Sequence, residues 1–244
     1  MKKNILIIIG VMVATMALHA QKRVPEATEL YVEIPRVTPG EKGAAPSDAV
    51  VLFDGSNTDA WVKAGTSDPI GWDVKDGALI VKGKAGSIET KKEFGDVQLH
   101  IEWKTPVMEG KSGQGYANSG VFFMGKYEVQ VLNSYDSETY NNGQAGSIYK
   151  QFVPLVNATK PPGEWQAYDI IFTAPRFSDK GTLISQARLT VIHNGVLVQN
   201  NVALLGPTEY IGTPLYKQHP AKLPFSLQDH GDPVEFRNIW IREL

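Results

Sequence analysis

Glu128 and Gln130 stand two residues apart in the run Tyr127-Glu128-Val129-Gln130-Val131-Leu132, where apolar and polar side chains alternate. Successive side chains of a β-strand face opposite sides of the sheet. The alternation therefore puts Glu128 and Gln130 on one face and Tyr127, Val129 and Val131 on the other. A carboxyl group can move a proton or bind sugar hydroxyls, and an amide beside it adds a donor and an acceptor suited to vicinal hydroxyls. The bland alternative is a glutamate on a solvated sheet face.

Three further polar groups fall on strands or at strand ends. Asn118-Ser119 opens the stretch that holds Glu128. Tyr149-Lys150 follows a polar loop, and Gln228-Asp229-His230, with Arg237-Asn238 beyond it, lies near the end of the chain. The His230 imidazole titrates near neutral pH and could carry a proton, although a turn histidine bonded to backbone is an equal alternative. Arg237 is a candidate substrate contact, or the partner of a nearby carboxylate such as Glu235 or Glu128. Among the tryptophans, Trp61 sits in a polar loop and is the candidate for stacking on a sugar ring; Trp72, Trp103, Trp165 and Trp240 read as core. His100 and His193 read as structural or solvated. The candidate catalytic pair is Glu128 and His230. The candidate substrate contacts are Asn118, Gln130, Tyr149, Lys150, Gln228, Arg237 and Trp61.

Other chemistries find little support. There is no Gly-x-Ser-x-Gly elbow, and no His-x-x-x-His or Asp-x-Asp-x-Asp spacing for a metal. No cofactor is called for, and a divalent metal stays open. Glycanases that use two carboxylates need a second one flanking the scissile bond. The alternate position on this strand is Gln130, so the local pair is incomplete.

Positioning these groups requires a sheet. Residues 96–105 alternate cleanly, with Val97, Leu99, Ile101 and Trp103 inward and Gln98, His100, Glu102 and Lys104 outward. Asp76-Gly77 and Asn194-Gly195 each sit between alternating runs, the signature of two-residue hairpins whose turn residues take positive φ. Residues 118–133 read as two strands around Met124-Gly125-Lys126, and residues 224–228 and 234–242 as a closing pair. No window after the leader carries the apolar spacing of an amphipathic helix. Many short strands with Gly, Asn and Asp turns predict an all-β sandwich, and a length of 244 residues is compatible with one such domain.

Residues 1–20 read differently. Lys2 and Lys3 precede an apolar run that ends at Ala20, the pattern of a secretory leader cleaved near that residue. The expected product is exported, periplasmic or secreted. Without the leader, 22 cationic side chains face 26 acids, with no basic cluster for nucleic acid and no second apolar run long enough to span a membrane. The absence of cysteine excludes disulfides and thiolate chemistry. Residues 21–48 are rich in Pro, Glu, Gly and Ala and read as an extended lead-in, with Leu30, Tyr31, Val32 and Ile34 as docking candidates. Residues 49–244 form the predicted domain.

Several blocks in fixed order carry a resemblance: Leu52-Phe53-Asp54-Gly55 with Trp61; Asn118-Ser119-Gly120-Val121-Phe122; Tyr127-Glu128-Val129-Gln130-Val131-Leu132; Gly146-Ser147-Ile148-Tyr149; His193-Asn194-Gly195; and Leu227-Gln228-Asp229-His230-Gly231 with Phe236-Arg237-Asn238. From about Val50 onward the chain resembles the 3-keto-disaccharide hydrolase family, also called domain of unknown function 1080. The resemblance implies a concanavalin A-like jelly-roll sandwich acting on glycosides already oxidised to a ketone at sugar carbon 3. That ketone acidifies the proton at carbon 2, so cleavage by elimination needs a base, an acid and an enolate stabiliser. Glu128 and His230 are expected to make the proton transfers, in an order the sequence leaves open, with Asn118, Gln130, Gln228 and Arg237 holding the sugar or enolate. Two features depart from the family pattern: an insertion-like segment within residues 172–187, and Lys150 where glycine is more usual. A carbohydrate-binding module, a structural β-domain and a two-carboxylate glycanase are the competing readings.

Overall fold

The alternating runs fold into antiparallel strands. The computed structural model describes residues 24–244, so the expected leader lies outside the described residues. The chain divides after Arg36, and the larger unit begins at Val37. Leu30, Tyr31, Val32 and Ile34 are exposed. The only helical segments among the described residues are short 3-10 turns, and no described helix is long and apolar enough to cross a membrane.

Two sheets make up the larger unit. The first contains β1 (Val50–Phe53), β3 (Asp73–Lys75), β4 (Ala78–Ile80), β6 (Val97–Lys104), β9 (Gln166–Thr173), β12 (Arg188–His193), β13 (Val196–Ala203) and β15 (Glu235–Glu243). Its spatial order is β13-β12-β9-β6-β15-β4-β3, with β1 also paired to β15. The second sheet runs β2 (Trp61–Lys63), β5 (Ile88–Phe94), β14 (Leu223–Leu227), β7 (Ser119–Phe123), β8 (Tyr127–Val131) in that order. The insertion-like segment forms a separate hairpin of β10 (Arg176–Phe177) and β11 (Leu183–Ser185). The all-β sandwich expected from the alternation is thus realised.

The hairpin turns follow the sequence chemistry. Asp76-Gly77, Met124-Gly125 and Asn194-Gly195 all have positive φ at both positions, the geometry that matches the twist of the flanking strands. One pairing departs from expectation. Residues 224–228 and 234–242 are not a closing pair, because β14 lies in the smaller sheet and β15 in the larger. The segment 228–234 crosses between them, which carries His230 to one end of the sandwich.

Apolar side chains from both sheets fill the space between them. Phe123 of β7 stacks on Phe172 of β9 with centroids 4.8 Å apart, and Tyr127 of β8 meets the same Phe172 ring at 5.7 Å. Each large side chain buried in this way contributes roughly 1.5–3 kcal/mol. Trp61 belongs to this core. Its ring packs on Phe225 at 6.0 Å and its Nε1–H donates to the Leu52 carbonyl at 2.8 Å. The sugar-stacking role is therefore withdrawn, because Trp61 is 2 % exposed.

A polar tie crosses the same core. The Tyr168 hydroxyl, on β9, donates to the Gln130 carbonyl on β8 at 2.8 Å. A buried bond of this kind fixes the height of β8 above the larger sheet. Tyr168→Phe should lower unfolding free energy by about 1 kcal/mol, read from urea denaturation; an unchanged midpoint would show that the tie bears no load.

Candidate active site

β8 is the last named strand of its sheet, but its outer edge is not open. The segment 146–149 runs along it: Gly146 N–H donates to the Gln130 carbonyl at 3.0 Å, Gln130 N–H to the Ser147 carbonyl at 3.0 Å, and Tyr149 N–H to the Glu128 carbonyl at 3.3 Å. Beside it the Thr208 hydroxyl accepts the Glu128 N–H at 3.0 Å, and Thr208 N–H donates to the Lys126 carbonyl at 2.8 Å. Two loops therefore dock on the strand that carries Glu128, and each brings a tyrosine, Tyr149 or Tyr210, to the same cavity.

The cavity measures about 240 Å³ and is lined by Asn118, Phe122, Glu128, Gln130, Tyr149, Thr208, Tyr210, Gln228 and His230. Six of the nine residues singled out in the sequence converge there. A larger cleft of about 320 Å³, bounded by residues including Asn141, Gln144, Val153 and Asn157, has no titratable side chain in its walls. The chemistry thus points to the smaller space.

Glu128 is the group under most constraint. It is 4 % exposed, and among the described residues it forms no salt bridge. Burial without a cation penalises the charged form and pushes its carboxyl up to about 8. Gln130 is satisfied best with its NH2 turned toward this carboxyl, donating to Glu128 Oε1 at 3.1 Å and to the Ser119 carbonyl at 2.9 Å. The carboxyl lies directly over Gly120, where an added Cβ would stand 2.6 Å from Glu128 Oε1. The Phe122 ring would stand equally close, so any larger residue there would have to displace both side chains. Glu128 is consequently not the solvated sheet-face glutamate that the alternation also allowed.

Backbone and carboxylate ties place the other groups. Ser119 Oγ–H donates to the Gln228 carbonyl at 2.7 Å, and Gln228 N–H donates to the Gly120 carbonyl at 3.0 Å. Asp229 accepts from Gly86 N–H and from Gly231 N–H, each at 2.9 Å, and so shapes the turn that presents exposed His230 at the cavity. Asn118 Nδ2–H donates to the Gln114 carbonyl at 3.0 Å. Gln228 lends a side-chain oxygen that is buried without a partner.

Two expected contacts lie elsewhere. Arg237 is on β15, in the opposite sheet, where its Nε–H donates to Glu102 Oε2 at 2.6 Å and its guanidinium stacks on Trp165 at 4.0 Å. The strand register sets Arg237 opposite Glu102, so the arginine completes an ion pair and does not reach the cavity. Lys150 does not line the cavity either. Its ammonium stands 3.9 Å from the Tyr140 ring centre, 5.4 Å from that of Tyr210 and 5.9 Å from that of Tyr149. Its backbone has φ of +63°, left-handed strain of roughly 1–2 kcal/mol for a residue with a Cβ.

The other histidines among the described residues are structural. His100 is buried against Trp240. Burial alone would lower its imidazole, but the hydrogen bond to Asp169 at 2.7 Å and the Glu102 carboxylate 3.8 Å away outweigh this and raise it to about 9. His193 is fully buried between Trp103 and Tyr168, and burial, assisted by the Lys160 charge, lowers it to about 3. His219 meets the Tyr127 hydroxyl at 2.9 Å.

Gln114, Phe122, Thr208, Tyr210 and Tyr140 are the residues the sequence reading missed. Thr208 and Tyr210 sit in an irregular stretch with no periodicity to mark them. Gln114 lies in the Gly-rich loop of residues 111–117, which carries no alternation to mark it. Among the described residues there is no group of three or more His, Asp or Glu arranged to hold a metal.

Comparison with known proteins agrees with the geometry. Residues 48–242 match the model of the 3-keto-alpha-glucoside-1,2-lyase-like domain. A 3-keto-disaccharide hydrolase of Bacteroides thetaiotaomicron is 26 % identical over 253 aligned residues, covering 82 % of this chain and 80 % of its own. A candidate glycosyl hydrolase of Parabacteroides distasonis, known from its crystal structure, is 49 % identical with a TM-score of 0.85, covering 91 % of this chain and 97 % of its own. A second from the same organism shares the fold at 21 % identity and a TM-score of 0.59, covering 81 % of this chain and 94 % of its own.

The carboxyl has a consequence for stability. The folded protein holds a proton on Glu128 between the ordinary value of 4.5 and about 8, where the unfolded chain has released it. Its contribution is full below pH 4.5 and is lost as pH rises through 8. Glu128→Gln should therefore gain on the wild type, by on the order of a few kcal/mol, as pH rises from about 5 to about 9. Denaturant midpoints at the two ends test this; parallel losses in both proteins would remove Glu128 as the linked group.

Proposed function

Because this chain belongs to the 3-keto-alpha-glucoside-1,2-lyase-like domain family, we propose that it is a carbohydrate-active enzyme cleaving glycosides that carry a ketone at sugar carbon 3. The observation that carries the reading is one buried, proton-holding carboxyl, Glu128, sharing a cavity with an imidazole, phenols and amides. Glu128 is the sole carboxylate among the lining residues, which favours elimination over a mechanism with two flanking carboxylates.

The roles follow from protonation. His230, exposed at the cavity, takes the proton from carbon 2. The C–H electron pair passes into the ketone as an enolate. Its collapse restores the ketone, forms a double bond between carbons 1 and 2, and breaks the bond from carbon 1 to the leaving oxygen. Glu128, protonated at neutral pH because burial raises its carboxyl, gives its proton to that oxygen. Water then adds across the double bond. Asn118, Gln130 and Gln228 hold the ring hydroxyls. The leader reading places this activity outside the cytoplasm after cleavage near Ala20.

A lectin-like module is the second reading. The exposed Tyr210 ring at the cavity, 70 % exposed, is suited to stacking on a sugar. An assay separates the two. Purified protein is offered matched aryl β-glucosides with and without the 3-keto group, and aglycone release is followed. Release from the keto substrate alone is expected, falling about 100-fold or more in Glu128→Gln and His230→Ala. Near-full turnover in both variants would overturn the assignment. Release from the unoxidised glucoside would favour a two-carboxylate route, and saturable binding with no release would favour the lectin.

A further inference from the structure

Tyr149 reaches the cavity by a specific route. The segment 146–149 pairs along the edge of β8, and the Tyr149 N–H binds the carbonyl of Glu128 itself. This backbone bond ties the phenol-bearing residue to the residue that carries the carboxyl. The Tyr149 hydroxyl lies 2.6 Å from that of Tyr140, which is partly exposed. Two hydroxyls at that distance share one proton between them. When Tyr140 is the donor, the Tyr149 proton is left over, and no protein acceptor for it occurs among the described residues. It is then available to a ligand in the cavity.

Lys150 completes the arrangement at a cost. Its backbone is held in the left-handed region, anchored by a bond from its N–H to the Asn142 carbonyl at 2.8 Å. That conformation suits glycine far better than lysine. What lysine adds is an ammonium over the face of the Tyr140 ring, 3.9 Å from its centre. A cation there draws electron density from the ring and its oxygen, makes the O–H more acidic and so strengthens Tyr140 as a donor. Two of the three cavity amides have their NH2 groups spent, Asn118 on Gln114 and Gln130 on Glu128 and Ser119, which leaves Gln228 and the acceptor oxygens for the ring hydroxyls. Burial, followed by the Tyr140 bond, raises the Tyr149 phenol, so it remains an O–H donor throughout the working range.

We propose that the Tyr149 hydroxyl holds the oxyanion that develops on the sugar ketone, with Tyr140 and Lys150 as positioning residues that aim and polarise it. The inference rests on the proton-abstraction reading of the site. As the electron pair of the C2–H bond moves onto the ketone oxygen, Tyr149 shortens its hydrogen bond to that oxygen and keeps its proton. When the enolate collapses, the hydrogen bond relaxes and carbon 1 loses its substituent.

The test uses 3-keto-1,5-anhydroglucitol, a ketone with no exocyclic leaving group on carbon 1, in D2O. Hydrogen–deuterium exchange at carbon 2, followed by NMR, reports enolate formation alone. Parallel turnover of a 3-keto aryl glucoside gives kcat and KM. Tyr149→Phe is expected to slow both exchange and kcat by about 100-fold, with KM changed only a few-fold. Tyr140→Phe, a change at a partly exposed site, should slow both by several-fold. Lys150→Gly should give a more stable but slower protein, and Lys150→Arg should restore most of the rate. Exchange at the wild-type rate in Tyr149→Phe, or a loss confined to KM, would overturn the proposal. If wild-type protein neither exchanges nor turns over these ketones, the functional reading itself fails and the proposal falls with it.

Discussion

A buried carboxyl group with no cation paired to it among the described residues governs this structure. Leaving Glu128 charged in its cavity would oppose folding, so the protein keeps it protonated near neutral pH. That condition demands exclusion of solvent from one face of β8. The loops at residues 146–149 and around Thr208 meet the demand by docking on the strand and taking up backbone donors and acceptors that an edge strand would otherwise expose. Gly120 leaves the space in which the carboxyl rests. Because the same loops bring in Tyr149 and Tyr210, desolvation and assembly of the site are one event.

The larger sheet acts as a platform for this strand. Phe172 supports both Phe123 and Tyr127, and Tyr168 reaches across to bind the Gln130 carbonyl. The insertion-like hairpin contributes indirectly. Phe177 packs on Tyr216 and His219, so the hairpin braces the irregular stretch that carries Thr208 and Tyr210. The hairpin contributes no residue to the cavity wall and reaches the site only through this supporting contact.

Much of this was legible in the residues, for a definite reason. Alternation over residues 96–105 and 127–132, with Asp-Gly and Asn-Gly turns, is a local property, and local geometry obeyed it. The pairing of Glu128 with Gln130 on one face followed from period two alone. What lies across a sheet is not local. Trp61 read as a loop residue because its partners, Leu52 and Phe225, come from separate strands. Arg237 read as a site residue because its partner Glu102 is set by the register of β15 on β6, which nothing near Arg237 encodes. The closing pair failed on the same ground: two adjacent strands can part to opposite sheets. The burial of Glu128 depends on loops without periodicity, so the sequence named the carboxyl but not what keeps its proton on.

The proton on Glu128 is the condition on which the chemistry of the site depends. Direct titration of Glu128, by NMR of a protein labelled with 13C at glutamate carboxyl groups and assigned through Glu128→Gln, measures it without reference to any substrate. A resonance that titrates near pH 8 is the expected result. A resonance titrating near the ordinary value of 4.5 would mean that water or a counter-ion reaches the carboxyl, and that Glu128 enters the reaction as an anion.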